Sequence, residues 1–481
     1  MKILLTGATG YIGKRLLPVL IEKGHEVVCC VRDSNRFDPP ESIRQKVSVI
    51  EVDFLDETTL HRVPKDVDGA YYLIHSMSSS KEYKTLEHTA AVNFKKSLQC
   101  STVEHLIYLS GITNETKLSE HLSSRRNVES ELEKGNYHFT TLRAGIIIGS
   151  GSASFEIIRD LVEKLPFMIT PKWVKTKCQP IGISDVILFL IKTLFNDKTY
   201  NQNFDIGGPD ILTYKEMLLG LAKSRNLKRT IMTVPVMTPK LSSYWLYFVT
   251  STSYKLATSL VDSMKTEVVC RNNSINTILG IEPIAYKQAL KKAFQKIQSN
   301  EIISSWKDSY VSSGINFNVS DFVKVPAFGC FVDKRKRKFI NRELCLNKIW
   351  SIGGETGWYY GNWLWKMRGL LDKMTGGVGL RRGRTNLTSI KAGDAVDFWR
   401  VLYANKEEGR LLLFAEMKLP GEAWLEFKII DAQLEQTATF RPLGLMGRLY
   451  WYFVFPFHSF IFSGMIKNIT AQNKSARGTT S

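Results

Sequence analysis

Two side chains able to do chemistry stand close together in the segment SEHLSSRR, where His121 and Arg125 lie four positions apart. Histidine has a pKa near neutrality, so it can donate or accept a proton at physiological pH. Arginine keeps its charge, so it can orient a ligand and stabilise negative charge but cannot shuttle protons. Residues four apart share one face of an α-helix. The segment is therefore either a catalytic pair or an ordinary charged helix face.

The amino terminus predicts a nucleotide-binding turn. The sequence KILLTGATGYIG predicts a strand that enters a glycine turn and then a helix, with Gly7, Gly10 and Gly13 spaced GxxGxxG. Gly7 permits the tight turn, Gly10 lets the backbone approach a pyrophosphate, and Gly13 lets the helix pack close to the sheet. The phosphates would lie at the amino terminus of the helix. The residues expected to bind the dinucleotide here are Thr6, Gly7, Thr9, Gly10, Tyr11, Ile12 and Gly13.

The end of the second predicted strand selects the cofactor. An acidic residue there would accept a hydrogen bond from the ribose 2′-hydroxyl group, but the sequence VVCCVRDSNR places Arg32 at about this position. A guanidinium group suits a 2′-phosphate in charge and geometry, so we expect NADP(H), and NAD(H) is less favoured. After the third strand, Asp53 is placed to hydrogen-bond the adenine amino group beside Phe54, although Asp53 could equally be a turn acid.

The elements around these motifs predict an α/β fold. Over residues 1–230, short runs rich in Val, Ile and Leu alternate with helical patterns. This alternation predicts a doubly wound parallel sheet with helices on both faces, as in a Rossmann fold. We expect residues 1–302 to form this domain, with its nucleotide-binding core at 1–150, and residues 303–325 to form a polar linker.

A different pattern follows the linker. The runs LLLFAEMKL, AWLEFKII and TATFRP look extended and no helical segment separates them, which predicts an antiparallel sheet. The aromatic run at 449–466 is either a helix buried against that sheet or a segment in monotopic contact with a membrane. We expect residues 326–468 to form this second domain and residues 469–481 to form a disordered tail.

Composition narrows the class of protein. The 481-residue chain opens without the features of a secretory signal, and its 7 cysteines show no CxxC pair, so we expect a cytoplasmic protein without a metal site or disulfide framework. The net charge is +19, and residues 331–481 hold 24 Lys and Arg against 13 Asp and Glu. Such charge could attract a polyanion or a membrane surface. We expect no nucleic-acid partner, and the composition leaves the oligomeric state open.

The second domain contains the segment WSIGGETGWYYGNWLW and, after it, the glycine-rich loop GGVGLRRGR. Aromatic side chains supply a wide apolar wall, and the arginines Arg381, Arg382 and Arg384 could meet a carboxylate or phosphate. This pattern predicts either a pocket for a hydrophobic anionic small molecule or a core of aromatic residues beside arginines that face water.

In order and spacing, the segments GATGYIG, VR, VDFLD, YYLIHSM, NF, YLSG and HLSSR resemble those of atypical short-chain dehydrogenase/reductases of the NmrA-like kind. The segments WSIGGETGWYYGNWLW and MKLPGEAWLEFKI resemble a bacterial subfamily whose reductase-like domain precedes a domain of unknown function. That second domain is similar to helix-grip (START-like) folds, which implies an α+β domain with an antiparallel sheet around a long helix and an apolar cavity.

The resemblance implies roles for three residues. Working members of the family use a serine and a Tyr-xxx-Lys motif; Ser110 matches the serine, while the tyrosine and lysine positions fall on His121 and Arg125. Either His121 replaces the tyrosine as acid/base and Arg125 holds the nicotinamide ribose, or the domain binds NADPH as a non-catalytic sensor.

The expected function is accordingly that of an oxidoreductase that transfers hydride to a carbonyl or enone of a hydrophobic substrate, which the second domain would hold. One alternative is the non-catalytic NADPH sensor or binding protein. Another is a membrane-peripheral factor that handles quinones or lipids, favoured by the aromatic run at 449–466.

Overall fold

The computed structural model describes residues 1–34, 37, 39, 41–75, 83–113, 120–234, 263–298, 325, 330–374, 379, 384 and 389–471. The chain divides into two compact units, Met1–Gly314 and Ile315–Ser481. Each unit has its own hydrophobic core.

The amino-terminal unit is built on a seven-stranded parallel sheet, as the alternating pattern predicted. Its strands are β1 (Lys2–Thr6), β2 (Glu26–Val31), β3 (Val47–Glu51), β4 (Gly69–Tyr72), β5 (His105–Gly111), β6 (His138–Ala144) and β11 (Gln202–Ile206). Their order across the sheet is β11-β6-β5-β4-β1-β2-β3. The direction in which the chain adds strands reverses between β1 and β4, and this reversal opens a crevice at the carboxyl ends of these two strands.

Short strands pair outside the main sheet of this unit. They are β7 (Ile147–Ile148) with β10 (Ile181–Gly182), β8 (Phe167–Thr170) with β13 (Thr230–Thr233), and β9 (Lys177–Cys178) with β12 (Leu212–Thr213). The α-helices are α1 (Gly13–Glu22), α2 (Glu41–Arg44), α3 (Tyr83–Leu98), α4 (Glu120–Leu132), α5 (Ala153–Lys164), α6 (Ile183–Thr193), α7 (Tyr214–Ser224), α8 (Ser274–Leu279) and α9 (Tyr286–Gln298). Three 3₁₀ segments complete the described elements, at Glu57–Arg62, Lys172–Lys175 and Asp197–Thr199.

Burial on both faces of the sheet explains the continuous apolar runs in its strands. In β1, Ile3 and Leu5 enter one core cluster, whereas Leu4 enters the cluster on the opposite face. Because side chains alternate between the faces of a strand, a sheet covered on both sides requires apolar residues at consecutive positions. The sequence pattern and the doubly wound architecture therefore have the same cause.

The carboxyl-terminal unit contains a six-stranded antiparallel sheet. Its strands are β14 (Phe331–Lys338), β15 (Ala395–Val396), β16 (Trp399–Asn405), β17 (Arg410–Ala415), β18 (Gly421–Ile430) and β19 (Gln433–Pro442), in the order β14-β19-β18-β17-β16-β15. Its described helices are α10 (Arg342–Trp350), α11 (Asn362–Met374) and α12 (Gly444–Thr470). The predicted antiparallel sheet with a long helix is thus confirmed.

The long helix α12 contains the aromatic run and ends at Thr470, so residues 469 and 470, which we expected to belong to the disordered tail, are helical. Residues 472–481 lie outside the described part of the chain. Near its carboxyl end, α12 packs into the core through Ile461, Phe462 and Met465. The buried-helix interpretation therefore holds for one face of α12, while large apolar side chains remain exposed on another.

The aromatic residues of WSIGGETGWYYGNWLW divide between core and surface. Trp350, Trp358 and Trp365 are buried, and the Trp358 indole donates a hydrogen bond to Asp397 Oδ2 at 2.8 Å. The guanidinium of Arg384 donates to the carbonyl oxygens of Trp350 and Ile352, both at 2.8 Å. At these positions the core interpretation is correct, and Arg384 stabilises a backbone turn. Arg381 and Arg382 lie outside the described residues.

A fully buried ion pair lies in the carboxyl-terminal unit, at its six-stranded sheet. Arg400 Nε and Glu416 Oε1 are 2.8 Å apart with both side chains inaccessible to solvent, and Arg400 Nη1 also donates to Gly393 O at 2.7 Å. Burying two charges is costly, and the pair is tolerable because each charge has a close partner.

Glu416→Gln is therefore expected to lower the free energy of unfolding of this unit by about 3 kcal/mol, because it leaves a buried guanidinium without its countercharge. Denaturant unfolding followed by tryptophan fluorescence measures this loss, since seven of the ten tryptophans lie in residues 315–481. The control is Glu426→Gln. Its partner Arg410 is also 2.8 Å away, but the two side chains are 23% and 29% exposed, so the loss should stay below about 1 kcal/mol. Equal losses would contradict the prediction.

Candidate functional site

The glycine turn after β1 leaves no space for side chains at two of its positions. Gly7 has φ +68°, and a Cβ atom added there would lie 2.7 Å from the carbonyl oxygen of Leu73, just beyond β4. A Cβ atom at Gly13 would lie 2.3 Å from Gly7 O. The turn is closed by a hydrogen bond from Gly10 N to Gly7 O at 2.9 Å. Only glycine allows α1 to begin this close to the end of β1.

Helix α1 starts at this turn, where Lys14 N donates to Gly10 O at 3.1 Å and Arg15 N donates to Ile12 O at 3.0 Å. The residue that precedes α1, Ile12, has no side chain able to cap the helix, so none of these amides is used by a side-chain cap. The dipole of the helix favours an anion at such a terminus. The Thr6 side chain makes hydrogen bonds within the protein: its buried hydroxyl donates to Tyr71 O at 2.9 Å and accepts from Leu73 N at 3.1 Å. Thr6 thus joins β1 to β4 beneath the turn.

The side chain of Tyr11 is held by the next turn of α1. The Arg15 guanidinium lies 4.0 Å from the centre of the Tyr11 ring, and Arg15 Nη2 donates to Ser150 O at 2.8 Å. Burial raises the pKa of Tyr11 to about 12, which keeps its hydroxyl group neutral. Thr9, between Gly7 and Gly10, is half-buried. The contacts of Arg15 with Tyr11 and with Ser150 O therefore hold the side chain of Tyr11 in place beside the turn.

Arg32 lies directly after β2 with an exposed side chain. The nearby carboxylate of Glu51 is occupied by Ser34, whose backbone N and hydroxyl group donate to Glu51 Oε1 at 2.8 and 2.6 Å. These hydrogen bonds lower the pKa of Glu51. The arrangement leaves the Arg32 side chain accessible at the end of the strand next to β1.

The structure separates the roles of Asp53 and Phe54. Asp53 Oδ1 accepts a hydrogen bond from Leu55 N at 3.0 Å, which is the turn interaction that the sequence allowed as an alternative. The Phe54 ring is buried against Phe94, with ring centroids 5.3 Å apart. Phe54 therefore supports the site from the core, and its ring does not face a ligand.

Ser110 and Arg125 meet at the end of β5. Ser110 is buried, and its Oγ makes no hydrogen bond of good geometry among the described residues, although the Tyr108 hydroxyl lies nearby. A Cβ atom added to Gly111 would lie 2.9 Å from Arg125 Nη1, so the guanidinium rests directly on the end of the strand. Arg125 Nε is also buried without a hydrogen-bond partner in the described part of the chain. Buried polar atoms in this condition point to a ligand.

His75 and Glu87 belong to the same group of side chains, and sequence reasoning missed both. His75 Nδ1 lies 3.1 Å from Glu87 Oε1, and the Ser124 hydroxyl donates to Glu87 Oε2. The signal for His75 was its position just after β4, because residues that follow parallel strands gather at one edge of the sheet. Glu87, in the middle of α3, gave no such signal. We call His75, Glu87, Ser110, Ser124 and Arg125 the polar cluster.

Electrostatics set the charge states in the polar cluster. Burial lowers the pKa of His75, and the charge of Arg125 lowers it further, against the opposing effect of Glu87. Burial by itself would raise the pKa of Glu87, but hydrogen bonds from His75 and Ser124 and the charge of Arg125 outweigh it, so the pKa is lowered. At neutral pH the cluster therefore contains a carboxylate, a neutral imidazole and a guanidinium. Because a carboxylate only accepts hydrogen bonds, His75 carries its proton on Nδ1.

The predicted pair His121 and Arg125 lies on one helix, since α4 spans both positions. The side chain of His121 is outside the described part of the structure, so its role as acid/base stays a prediction. No group of three or more His, Cys, Asp or Glu side chains suited to a metal ion occurs among the described residues.

Comparison with known proteins agrees with this geometry. Residues 7–162 match a family described as NAD(P)H-binding, and residues 330–465 match a family of proteins of unknown function (DUF2867). A nucleoside-diphosphate-sugar epimerase from Staphylococcus aureus aligns with 60% of this chain and 100% of its own, with a TM-score of 0.50 and 18% sequence identity. At this identity the likeness shows the fold alone.

Two plant relatives with reductase names match part of this chain. The divinyl chlorophyllide a 8-vinyl-reductase of Arabidopsis thaliana is 22% identical over 227 residues, which is 44% of this chain and 54% of that protein. An isoflavone reductase homolog of Lupinus albus is 23% identical over 238 residues, which is 45% of this chain and 73% of that protein. The chain thus spans about half the length of the vinyl-reductases it matches. The amino-terminal unit thus has a Rossmann fold that includes a match to an NAD(P)H-binding family and is similar to reductases, and the carboxyl-terminal unit includes a match to a family of unknown function.

Proposed function

We propose that the protein is an NADPH-dependent oxidoreductase that reduces a carbonyl or enone group of a hydrophobic substrate. The observation that carries this proposal is that the glycine turn and the polar cluster lie at the carboxyl ends of adjacent strands, β1, β4 and β5. In open α/β sheets, ligands bind at this edge, next to the reversal in strand order.

The residues present fit a nicotinamide dinucleotide. Gly7 and Gly13 leave the turn without side chains at these two positions, and a diphosphate would lie at the amino terminus of α1. Arg32, exposed at the end of β2, would pair with a 2′-phosphate. The bound cofactor would supply the hydride for the reduction.

The polar cluster would act on the substrate oxygen. In this proposal the Ser110 hydroxyl hydrogen-bonds the carbonyl group, and Arg125 stabilises the negative charge that develops on its oxygen. His75 is neutral and Glu87 holds its Nδ1 proton, so His75 is not the proton donor. Its role is to position Glu87, whose carboxylate balances the buried charge of Arg125. The proton would come from His121, one turn before Arg125 on α4.

The alternative is a protein that binds NADPH and does no chemistry. The replacement of Tyr-xxx-Lys by His121 and Arg125 favours it, because the tyrosine that would transfer the proton is missing and arginine keeps its own proton, so it cannot shuttle protons. Turnover is therefore the property that separates the two functions, and a cytoplasmic location is proposed for both.

Cofactor choice is tested by Arg32→Ala. Removing a charge-assisted contact to a phosphate should weaken NADPH binding at least about tenfold and leave NADH binding nearly unchanged. Fluorescence titration of both cofactors measures the effect. Lys23→Ala, which removes an exposed cation just after α1, is the control for net charge. Equal weakening for NADPH and NADH would refute the assignment of Arg32.

The fit of the glycine turn is tested by Gly13→Ala. The added methyl group meets backbone atoms that cannot move aside, so α1 must shift and binding of both cofactors should fall at least about tenfold. Gly24→Ala is the control, since its Cβ atom meets nothing within 4 Å and tests backbone strain alone at φ +82°. Wild-type affinity in the Gly13 variant would show that the dinucleotide does not lie on this turn.

Turnover is tested by screening quinones and enones for NADPH oxidation and comparing variants. Ser110→Ala and His121→Phe should each lower kcat at least about tenfold while NADPH binding is kept, because both groups act on the substrate oxygen. Ser101→Ala, at a half-buried serine whose hydroxyl caps Leu98 O, is the control. Tight NADPH binding with no turnover in the screen would favour the sensor. An unchanged kcat in His121→Phe would remove His121 as the acid.

A further inference from the structure

Helix α12 carries a continuous stripe of exposed apolar side chains. Met446, Leu449, Phe453, Phe457 and Phe460 recur every three or four residues and are 48–76% exposed. This spacing places them on one face of the helix over about 21 Å. Soluble proteins rarely expose so long an apolar stripe unless it binds something.

The opposite face of α12 is already used by the core. Trp451, Ile461, Phe462 and Met465 are buried there, at 7% exposure or less. Only 28% of the most apolar window of Met446–Thr470 is buried, whereas a core helix would be mostly buried. The helix is thus apolar on both faces, and its own sheet covers one of them.

Helix α11 also exposes a row of large apolar side chains. Its exposed side chains Trp363, Met367, Leu370 and Met374 follow helical spacing and are 46–66% exposed. Its inward face includes Asp372, fully buried, whose carboxylate accepts hydrogen bonds from Gly379 N at 2.8 Å and Lys418 N at 2.7 Å. Leu364 and Trp365 of α11 are also buried, so α11, like α12, is apolar on two faces of which one is exposed.

The two stripes belong to neighbouring parts of one unit. The Tyr360 ring, just before α11, lies 5.1 Å from the Phe460 ring, and the Trp365 and Phe462 rings are 6.3 Å apart. We call the exposed stripes of α11 and α12 together the apolar surface.

Charge indicates the chemistry of what the apolar surface meets. From residue 436 to 481 the chain has no Asp or Glu, and its five charged residues are all Lys or Arg. Lys366 is exposed on α11 beside its stripe, and Arg448 is exposed in the first turns of α12. Aromatic and aliphatic side chains flanked by basic residues are typical of helices that lie in the interface of an anionic membrane.

We propose that the apolar surface docks the protein onto a membrane that contains anionic phospholipids, with α12 lying in the interface. A crossing orientation is incompatible with the fold, because Ile461, Met465 and Ile469 would have to leave the core to face lipid. The docking is independent of the NADPH chemistry proposed above, and it would bring the protein to the phase in which hydrophobic substrates dissolve.

Flotation of the full chain with vesicles tests the docking. We expect binding to phosphatidylcholine vesicles that contain about 30% phosphatidylglycerol, weaker binding to pure phosphatidylcholine, and release at high salt. Phe453→Ser with Phe457→Ser should reduce binding at least about tenfold, because two exposed rings no longer enter the interface. Arg448→Gln should reduce binding to anionic vesicles only.

The matched control is Ile211→Ser with Met232→Ser, which removes two apolar side chains of the other unit that are 52% and 48% exposed. Circular dichroism and NADPH titration confirm that all variants are folded. Absence of wild-type binding to either vesicle, or equal binding of the Phe453/Phe457 variant, would overturn the proposal. Self-association that this variant abolishes, without vesicle binding, would identify a second copy as the occupant. Resistance to alkaline extraction would refute the interfacial orientation.

Discussion

The close approach of α1 to the end of β1 is the constraint on which the site depends. A Cβ atom at Gly13 would lie 2.3 Å from Gly7 O, so this approach exists only because no side chain is present there. It places the amino terminus of α1 at the end of β1, next to the crevice between β1 and β4, where the sheet order reverses. Thr6, which hydrogen-bonds across to Tyr71 and Leu73, holds the two strands at this point. Everything that a dinucleotide needs from the backbone follows from this geometry.

The polar cluster shows how a buried guanidinium is tolerated beside that crevice. The charge of Arg125 is balanced by Glu87, whose carboxylate is in turn held by His75 and Ser124. Burial keeps the imidazole neutral, so the cluster has one positive and one negative charge at neutral pH. Because the two charges are paired, the cluster does not greatly destabilise the fold when no polar ligand is bound. That property suits both a reductase and a cofactor sensor, which is why turnover separates them.

The carboxyl-terminal unit has apolar side chains on its surface as well as in its core. Its interior contains the Arg400–Glu416 pair and the carboxylate of Asp372, each with close hydrogen-bond partners. Its surface carries the apolar stripes of α11 and α12. Charges inside persist because they are paired, whereas apolar side chains outside gain nothing until water is removed from them. The unfavourable feature is the exposed apolar surface, and an interface that removes water from it would stabilise the protein.

The sequence by itself determined the features that depend on local spacing. Continuous apolar runs indicated a sheet covered on both faces, the glycine spacing placed the turn, and the extended runs after residue 410 indicated the antiparallel sheet. Tertiary structure alone decided which side chains meet. His75, from the segment after β4, meets Glu87 of α3, the ring of Phe54 faces the core, and α12 is apolar on two faces of which only one is covered. Periodicity shows that a face is apolar, but what covers that face is set by residues distant in the chain.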